Sequence, residues 1–196
     1  LTLRKHGFVQ PITIFEGVSS VEEWQLAAEF ELTPVLHQQQ HLALLIKAEI
    51  HQPLPFLWLM LETGMHRLGL PQHDVLQIID ALEKRSDLVS KLGLMSHFAN
   101  SDLLNDARNN QQLTVMKNLA KTTGLPVCMA NSAAIISLPE SHYDWIRPGL
   151  MLFGASPFAD KSGADVGLKP VMQLISKLIA TQQLKAGDEV GYGGQW

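Results

Sequence analysis

Short apolar runs and longer segments with a helical stripe of apolar positions alternate along most of this chain. The short runs, rich in branched side chains, predict buried strands, and the striped segments predict amphipathic helices between them. The runs predicted as strands are residues 11–17, 33–37, 56–61, 91–98, 126–130 and 144–149. Strands that alternate with helices in this way favour a parallel sheet covered by helices.

The helices predicted between these strands begin and end at residues that are typical of helix ends. Residues 1–7 resemble the tail of a helix that Gly7 ends, and Ser19 or Ser20 is expected to cap the next one. The predicted helices are residues 21–30, 38–50, 71–85, 105–123 and 133–139. A closed barrel of strand–helix units needs eight strands. The fold expected is therefore an α/β, incomplete (β/α)8 TIM-type barrel with about six of the eight strands.

The pattern changes after about residue 160. A polar, glycine-rich connector, KSGADVG, precedes an extended-looking stretch, a turn at KAGDE and a strand-like VGYGG. This predicts a partial barrel domain over residues 1–160 and the start of an all-β domain over residues 161–196. The first residue is Leu1 rather than methionine, and GYGGQW stops within folded-looking sequence. Both ends are expected to be cuts through a larger protein.

Composition excludes several classes of partner. The 196 residues carry a net charge of −4 and contain no basic stripe, which argues against a nucleic-acid partner. The longest apolar stretch, residues 53–61, is too short for a membrane span, and no signal peptide is expected from the first residues. One cysteine, Cys128, cannot form an internal disulfide, which favours a reducing, cytoplasmic location.

Candidate chemistry follows from the rule that ligands bind at the carboxyl ends of parallel strands. Arg67, His97 and Ser132 follow the third, fourth and fifth predicted strands, and Arg147 ends the sixth. The Ser132 hydroxyl and the backbone of Gly149 and Leu150 are expected to hold a phosphate, since such barrels bind phosphate after their last two strands.

Each candidate also has a plainer structural interpretation. Taken alone, His97 is a core histidine, Ser132 caps a helix, and Tyr192 packs its ring in a hairpin. His37 and His41 have the spacing of zinc-binding helices, but the glutamines between them supply no third ligand. No metal site is predicted.

Several strings along the chain resemble those of alanine racemases in order and spacing. They are LETGMHRLG, MSHFANSD, MANSAA, WIRPGLMLFGASP, GLKPVMQL and VGYGGQW. The resemblance implies an isomerase that uses pyridoxal 5′-phosphate, with a barrel domain and a β domain, acting on alanine as a head-to-tail homodimer. In that family one catalytic base is a lysine that holds the cofactor, and the other is a tyrosine from the partner subunit, which matches Tyr192.

The same resemblance assigns roles to the other candidates. His97 matches a histidine that contacts the tyrosine, and Arg147 matches an arginine that faces the pyridine nitrogen of the cofactor. Arg67 resembles the arginine near the cofactor's phenolic oxygen and the substrate carboxylate. The phosphate contacts of the family fall on three residues, Ser132, Gly149 and Leu150.

The chain departs from the family pattern in two respects. Met60 and Glu62 stand where many relatives have a lysine, which props the arginine when carbamylated, and an aspartate. Residues 60 and 62 share one face of a strand, so Glu62 is expected to reach Arg67 instead, or a bound anion to take that place. No lysine stands in the family's cofactor-binding context.

This missing lysine leads us to expect that the 196-residue chain is inactive, although its parent racemises alanine. In the family role that parent supplies D-alanine for peptidoglycan in the bacterial cytoplasm. Two alternatives remain open. One is a non-catalytic, cofactor-binding or dimerising scaffold, and the other is a racemase of the same fold with another amino-acid substrate.

Overall fold

A computed structural model describes residues 1–194 and contains one parallel sheet. Its five strands are β1 (Thr13–Ile14), β2 (Thr33–Leu36), β3 (Leu57–Met60), β4 (Leu92–Met95) and β5 (Val127–Cys128). Their spatial order is their chain order, and each neighbouring pair is parallel. The prediction of an incomplete, barrel-like α/β fold is confirmed.

The helices return the chain between successive strands. They are α1 (Thr2–Lys5), α2 (Val21–Glu29), α3 (Gln39–Lys47), α4 (Gln72–Leu82), α5 (Ala107–Thr123) and α6 (Ser132–Ser137). Ser20 caps α2 by accepting a hydrogen bond from the Glu23 N–H, as the sequence predicts. In the described part of the chain, no helix is long and apolar enough to cross a membrane.

Apolar side chains pack on both faces of the sheet, which is why its strands are apolar throughout. A large core between sheet and helices includes Trp24, Leu59, Ile78, Leu94 and Met116, all buried. On the opposite face a smaller group, called here the inner cluster, covers the concave side of the sheet. It consists of Val35, Trp58, Met60, Met95 and Cys128, with Phe15 and Phe56 packed against it.

The sixth predicted strand, residues 144–149, is reduced to a single bridge between Trp145 and Cys128. The Trp145 and Arg147 N–H groups donate to the carbonyls of Val127 and Ala130. Pro148 has no N–H to continue such a ladder, which ends the pairing there.

The described residues after Gly167 form turns and irregular backbone, with no helix or strand among them. Leu174, Leu178 and Ile179 in this stretch are almost fully exposed. The division into domains at residue 160 stays a prediction. Gln195 and Trp196, the last two residues of the VGYGGQW string, lie outside the described residues.

Candidate active site

Four of the side chains predicted to carry chemistry lie where β3, β4 and β5 end. Arg67 lies in the loop after β3, His97 follows β4, and Ser132 begins α6 after β5. Arg147 joins them because its segment pairs with the edge of β5. Parallel strands direct their carboxyl ends to one edge, so four groups distant in sequence share one region.

Arg147 is the most tightly held of these side chains. Its Nη1 donates to the Cys128 carbonyl at 2.9 Å, and its Nη2 donates to the Ser96 carbonyl at 2.6 Å. Nη2 also lies 3.0 Å from Nδ1 of His97, and the guanidinium is 5.4 Å from the centre of the Phe15 ring. The result is a permanent positive charge fixed at the strand ends.

The contact with Arg147 settles the tautomer of His97. A guanidinium can only donate, so Nδ1 of His97 accepts and its remaining proton lies on Nε2. Burial, then the charges of Arg147 and Arg67, lower the pKa of His97 from 6.5 to about 4. His97 is therefore a neutral imidazole at pH 7 that presents an N–H donor on its outer nitrogen.

The lowered pKa of His97 predicts that acid destabilises the fold. The unfolded chain binds the proton more tightly than the folded chain, so the free energy of unfolding falls as pH drops from 6.5 towards 4. With allowance for partial exposure we expect a loss of about 2 kcal/mol over this range. Urea unfolding of the wild type and of His97→Asn at several pH values measures it.

The asparagine keeps an acceptor for Arg147 but cannot titrate, so the variant's stability is expected to depend less on pH. Burial also lowers the pKa of His41, and this contribution is common to both proteins. Identical pH profiles for the two proteins would show that His97 does not titrate as described.

Ser132 organises the candidate phosphate site. Its Oγ accepts hydrogen bonds from the N–H groups of Gly149 at 3.0 Å and Met151 at 3.2 Å. Asn131, not Ser132, caps α6, through a bond from the Ala134 N–H to its side chain. The Ser132 hydroxyl thus stays available as a donor.

Gly149 keeps the approach to this hydroxyl open. A Cβ built on Gly149 would meet a single atom within 4 Å, Ser132 Oγ at 4.0 Å. The Ser132 hydroxyl can donate directly to an anion here, whereas the Gly149 N–H would have to leave Ser132 Oγ to do so.

The prediction that Glu62 holds Arg67 is wrong. The Glu62 carboxylate accepts instead from the backbone N–H groups of Gly64 and, at 2.8 Å, His66. The chain turns back directly after β3, so its own loop offers the nearest donors to this carboxylate. Glu62 thus shapes the loop that carries Arg67, and Arg67 forms no ion pair within the part of the chain that is described.

Tyr192 is not brought to this region of the structure. Its side chain is fully exposed, and among the hydrogen bonds of residues 1–194 none joins it to His97. The expected contact between tyrosine and histidine involves a second subunit, so it stays a prediction.

Sequence reasoning missed the groups that hold Arg147. Two of them are backbone carbonyls, of Ser96 and Cys128, and a carbonyl has no sequence signature because every residue has one. Phe15 could have been found, since it follows β1 as His97 follows β4.

A cavity of about 500 Å³ runs along the concave face of the sheet below Arg147. Trp58, Met95 and Cys128 of the inner cluster line it, and Arg67 and His97 line a narrower cavity beside it. Its size suits a small-molecule ligand. Among residues 1–194, no lysine lines either cavity.

Comparison with known proteins gives consistent matches along the chain. The family model described as "Alanine racemase, N-terminal domain" matches residues 1–157. Alanine racemase of Nitrosococcus oceani is 46% identical over 194 residues, covering 99% of this chain and 54% of that protein. Alanine racemase of Nitrosomonas eutropha is 42% identical over 200 residues, covering all of this chain and 55% of that protein.

Solved structures agree with this match. The biosynthetic alanine racemase from Pseudomonas aeruginosa superposes with a TM-score of 0.91 at 35% identity, over 99% of this chain and 54% of that one. Alanine racemase from Acinetobacter baumannii gives a TM-score of 0.90 at 39% identity, over 100% of this chain and 55% of that one. The chain spans about half the length of the curated relatives it matches. The resemblance drawn from the motifs is confirmed, and the chain belongs to the alanine racemase family.

Proposed function

We propose that this chain is part of a pyridoxal 5′-phosphate-dependent racemase that interconverts L- and D-alanine as a cytoplasmic homodimer. The observation that carries the proposal is Arg147, fixed at the strand ends by the Ser96 and Cys128 carbonyls and in contact with neutral His97. A permanent cation at the carboxyl ends of parallel strands, where such folds bind their ligands, suits the ring nitrogen of the cofactor.

The residues present suit the cofactor by the chemistry of their donors. The Ser132 hydroxyl and the backbone of Gly149 and Leu150 would hold the phosphate, and Arg147 would donate to the pyridine nitrogen. When bound, pyridoxal phosphate supplies an electron sink that makes the α-proton of an amino acid removable.

Arg147 determines how strong that sink is. A guanidinium does not give up its proton, so Arg147 would leave the pyridine nitrogen of a bound cofactor unprotonated. Arg147 would thereby weaken the electron sink, which suits a racemase because a stronger sink favours side reactions such as transamination. Arg67, free of an ion pair among the described residues, supports the proposal as the group that orients the substrate carboxylate.

Tyr192 would carry out one of the two proton transfers, and His97 would assist it. Free tyrosine titrates near pH ~10, so its use as a base at neutral pH needs nearby cationic or hydrogen-bonding groups. The Nε2–H of His97, backed by Arg147, would supply such a hydrogen bond to Tyr192 of a second subunit. This role requires the homodimer, which is part of the proposal.

A non-catalytic, cofactor-binding scaffold is the second candidate. Both candidates require cofactor binding, but racemisation also requires the second base. Racemisation of alanine, serine and lysine by the natural gene product that includes this chain separates the candidates and identifies the substrate.

We expect the 196-residue chain to bind pyridoxal phosphate and not to racemise alanine. Replacing Ser132 with alanine removes a charge-assisted hydrogen bond, so affinity is expected to fall about tenfold or more. Quenching of tryptophan fluorescence measures binding, with pyridoxal as the ligand that lacks the phosphate.

Ser137→Ala is the matched control, since Ser137 lies on the same helix and its hydroxyl donates to the Ala133 carbonyl. Its affinity should equal that of the wild type. Equal binding of pyridoxal and pyridoxal phosphate, or an unchanged Ser132→Ala variant, would contradict the phosphate site. Racemisation by the purified chain would contradict its expected inactivity.

A further inference from the structure

Gln112 of α5 joins the two loops that carry Arg67 and His97. Its side chain is 1% exposed, although α5 is otherwise a largely polar helix. Its Nε2 donates to Thr63 Oγ1 and to the His97 carbonyl, both at 2.9 Å. Its Oε1 accepts from the Ala99 N–H at 3.0 Å. Both amide hydrogens and the amide oxygen are therefore engaged.

The hydrogen bond from Gln112 to Thr63 is the first of a series in which each hydroxyl accepts one hydrogen bond and donates the next. Ser96 Oγ donates to the Leu61 carbonyl at 2.9 Å, which uses its only hydrogen. The 2.8 Å contact between the two hydroxyls must then have Thr63 donating to Ser96. Gln112, Thr63 and Ser96 thus donate in sequence to the end of β3, and bonds in such a chain reinforce one another.

These hydrogen bonds fix the relative position of two segments of the site. Thr63 and Arg67 lie in the same loop, between β3 and α4, and Ser96 directly precedes His97. The carbonyl of the same Ser96 also accepts from Arg147. Movement of the Arg67 loop away from His97 would break the bonds of Thr63 to both Gln112 and Ser96.

We propose that Gln112 is a positioning residue that holds the Arg67 loop against His97. The inference rests on the proposed function, because that function gives Arg67 and His97 their roles. Gln112 itself would touch neither the cofactor nor the substrate. A methionine would fill a similar volume, so an amide at this position is explained by its hydrogen bonds rather than by packing.

The test measures the pKa of His97 in the 196-residue chain by NMR titration of its imidazole. Gln112→Met and Thr63→Val each break the chain of hydrogen bonds. Release of the Arg67 loop then hydrates His97 and withdraws a positive charge, while Arg147 stays bound to its carbonyls. We expect the pKa to rise from about 4 towards 6.5, by about one pH unit or more.

Two conservative variants serve as controls. Gln111→Met changes the exposed neighbour on α5, and Thr63→Ser keeps the hydroxyl, so both should leave the pKa of His97 unchanged. A lower melting temperature with an unchanged pKa in Thr63→Val would reduce Gln112 to a structural role and overturn the proposal. Thr63→Val alone decides the question if Gln112→Met does not fold.

The proposed function can fail separately from this inference. If the wild-type chain does not bind pyridoxal phosphate but Thr63→Val raises the pKa of His97, the positioning of Arg67 stands and the proposed function fails. If pyridoxal phosphate binds but neither variant moves the pKa, the positioning proposal fails alone.

Discussion

Replacing Arg147 with methionine is expected to lower the free energy of unfolding by about 3 kcal/mol, and to abolish measurable binding of pyridoxal phosphate. The loss of stability arises mainly because the buried Ser96 carbonyl loses its Arg147 donor, whereas the Cys128 carbonyl loses one bond and keeps the Ser96 N–H. An unpaired buried group costs roughly 1–3 kcal/mol, and each lost hydrogen bond from a charged group adds to it. Urea unfolding monitored by circular dichroism measures the first effect, and fluorescence titration the second.

Arg108→Met is the matched control for Arg147→Met. Arg108 forms a surface ion pair with Asp106, and its side chain is 59% exposed. Exposed pairs of this kind contribute up to about 1 kcal/mol, so the control should unfold near the wild-type urea concentration. A similar, small loss of stability in both variants would show that Arg147 is not the anchor of the site.

Replacing Gly69 with alanine is expected to destabilise the fold by about 3 kcal/mol or more. Gly69 has a φ of +140°, and a Cβ there would lie 2.8 Å from the backbone nitrogen of Glu62. The backbone of Gly69 lies this close to Glu62 because two hydrogen bonds close the Arg67 loop. The Glu62 N–H donates to the Leu70 carbonyl, and the Leu70 N–H donates to the Met60 carbonyl. The alanine must therefore push these segments apart.

Gly124→Ala separates this clash from simple backbone strain. Gly124 follows α5 with a φ of +67°, and a Cβ there would meet nothing within 4 Å. We expect a loss of about 1 kcal/mol for Gly124→Ala, because only the left-handed conformation is penalised. Urea unfolding of both variants gives the comparison, and losses of equal size would contradict the close approach at Gly69.

Much of the fold could be predicted because its strands are apolar throughout and its helices have clear boundaries. Residues 33–36 and 57–60 are buried on both faces, so their composition alone identifies them as strands of a covered sheet. The run at 144–149 continues the alternation of strands and helices but is less apolar, and it forms one bridge because Pro148 interrupts it. Its place in the pattern predicts a strand, whereas pairing depends on where its N–H groups lie.

The candidate site was predictable only where a strand end carries a distinctive side chain. That rule selected Arg67, His97 and Ser132, which the structure brings to one edge of the sheet. It could not select Gln112, which lies mid-helix 49 residues from its partner Thr63. Polar partners contributed by distant segments depend on tertiary packing, and one sequence contains no signal for them.

Cys128 gives the site a built-in reporter. It is the only cysteine of the chain, it is buried beneath Arg147, and burial raises the pKa of its thiol. An alkylating reagent needs the thiolate, and Cys128 lines the cavity along the sheet, so a reagent that enters this cavity can reach it. The rate of alkylation of the native chain therefore measures how accessible this cavity is, without any introduced label.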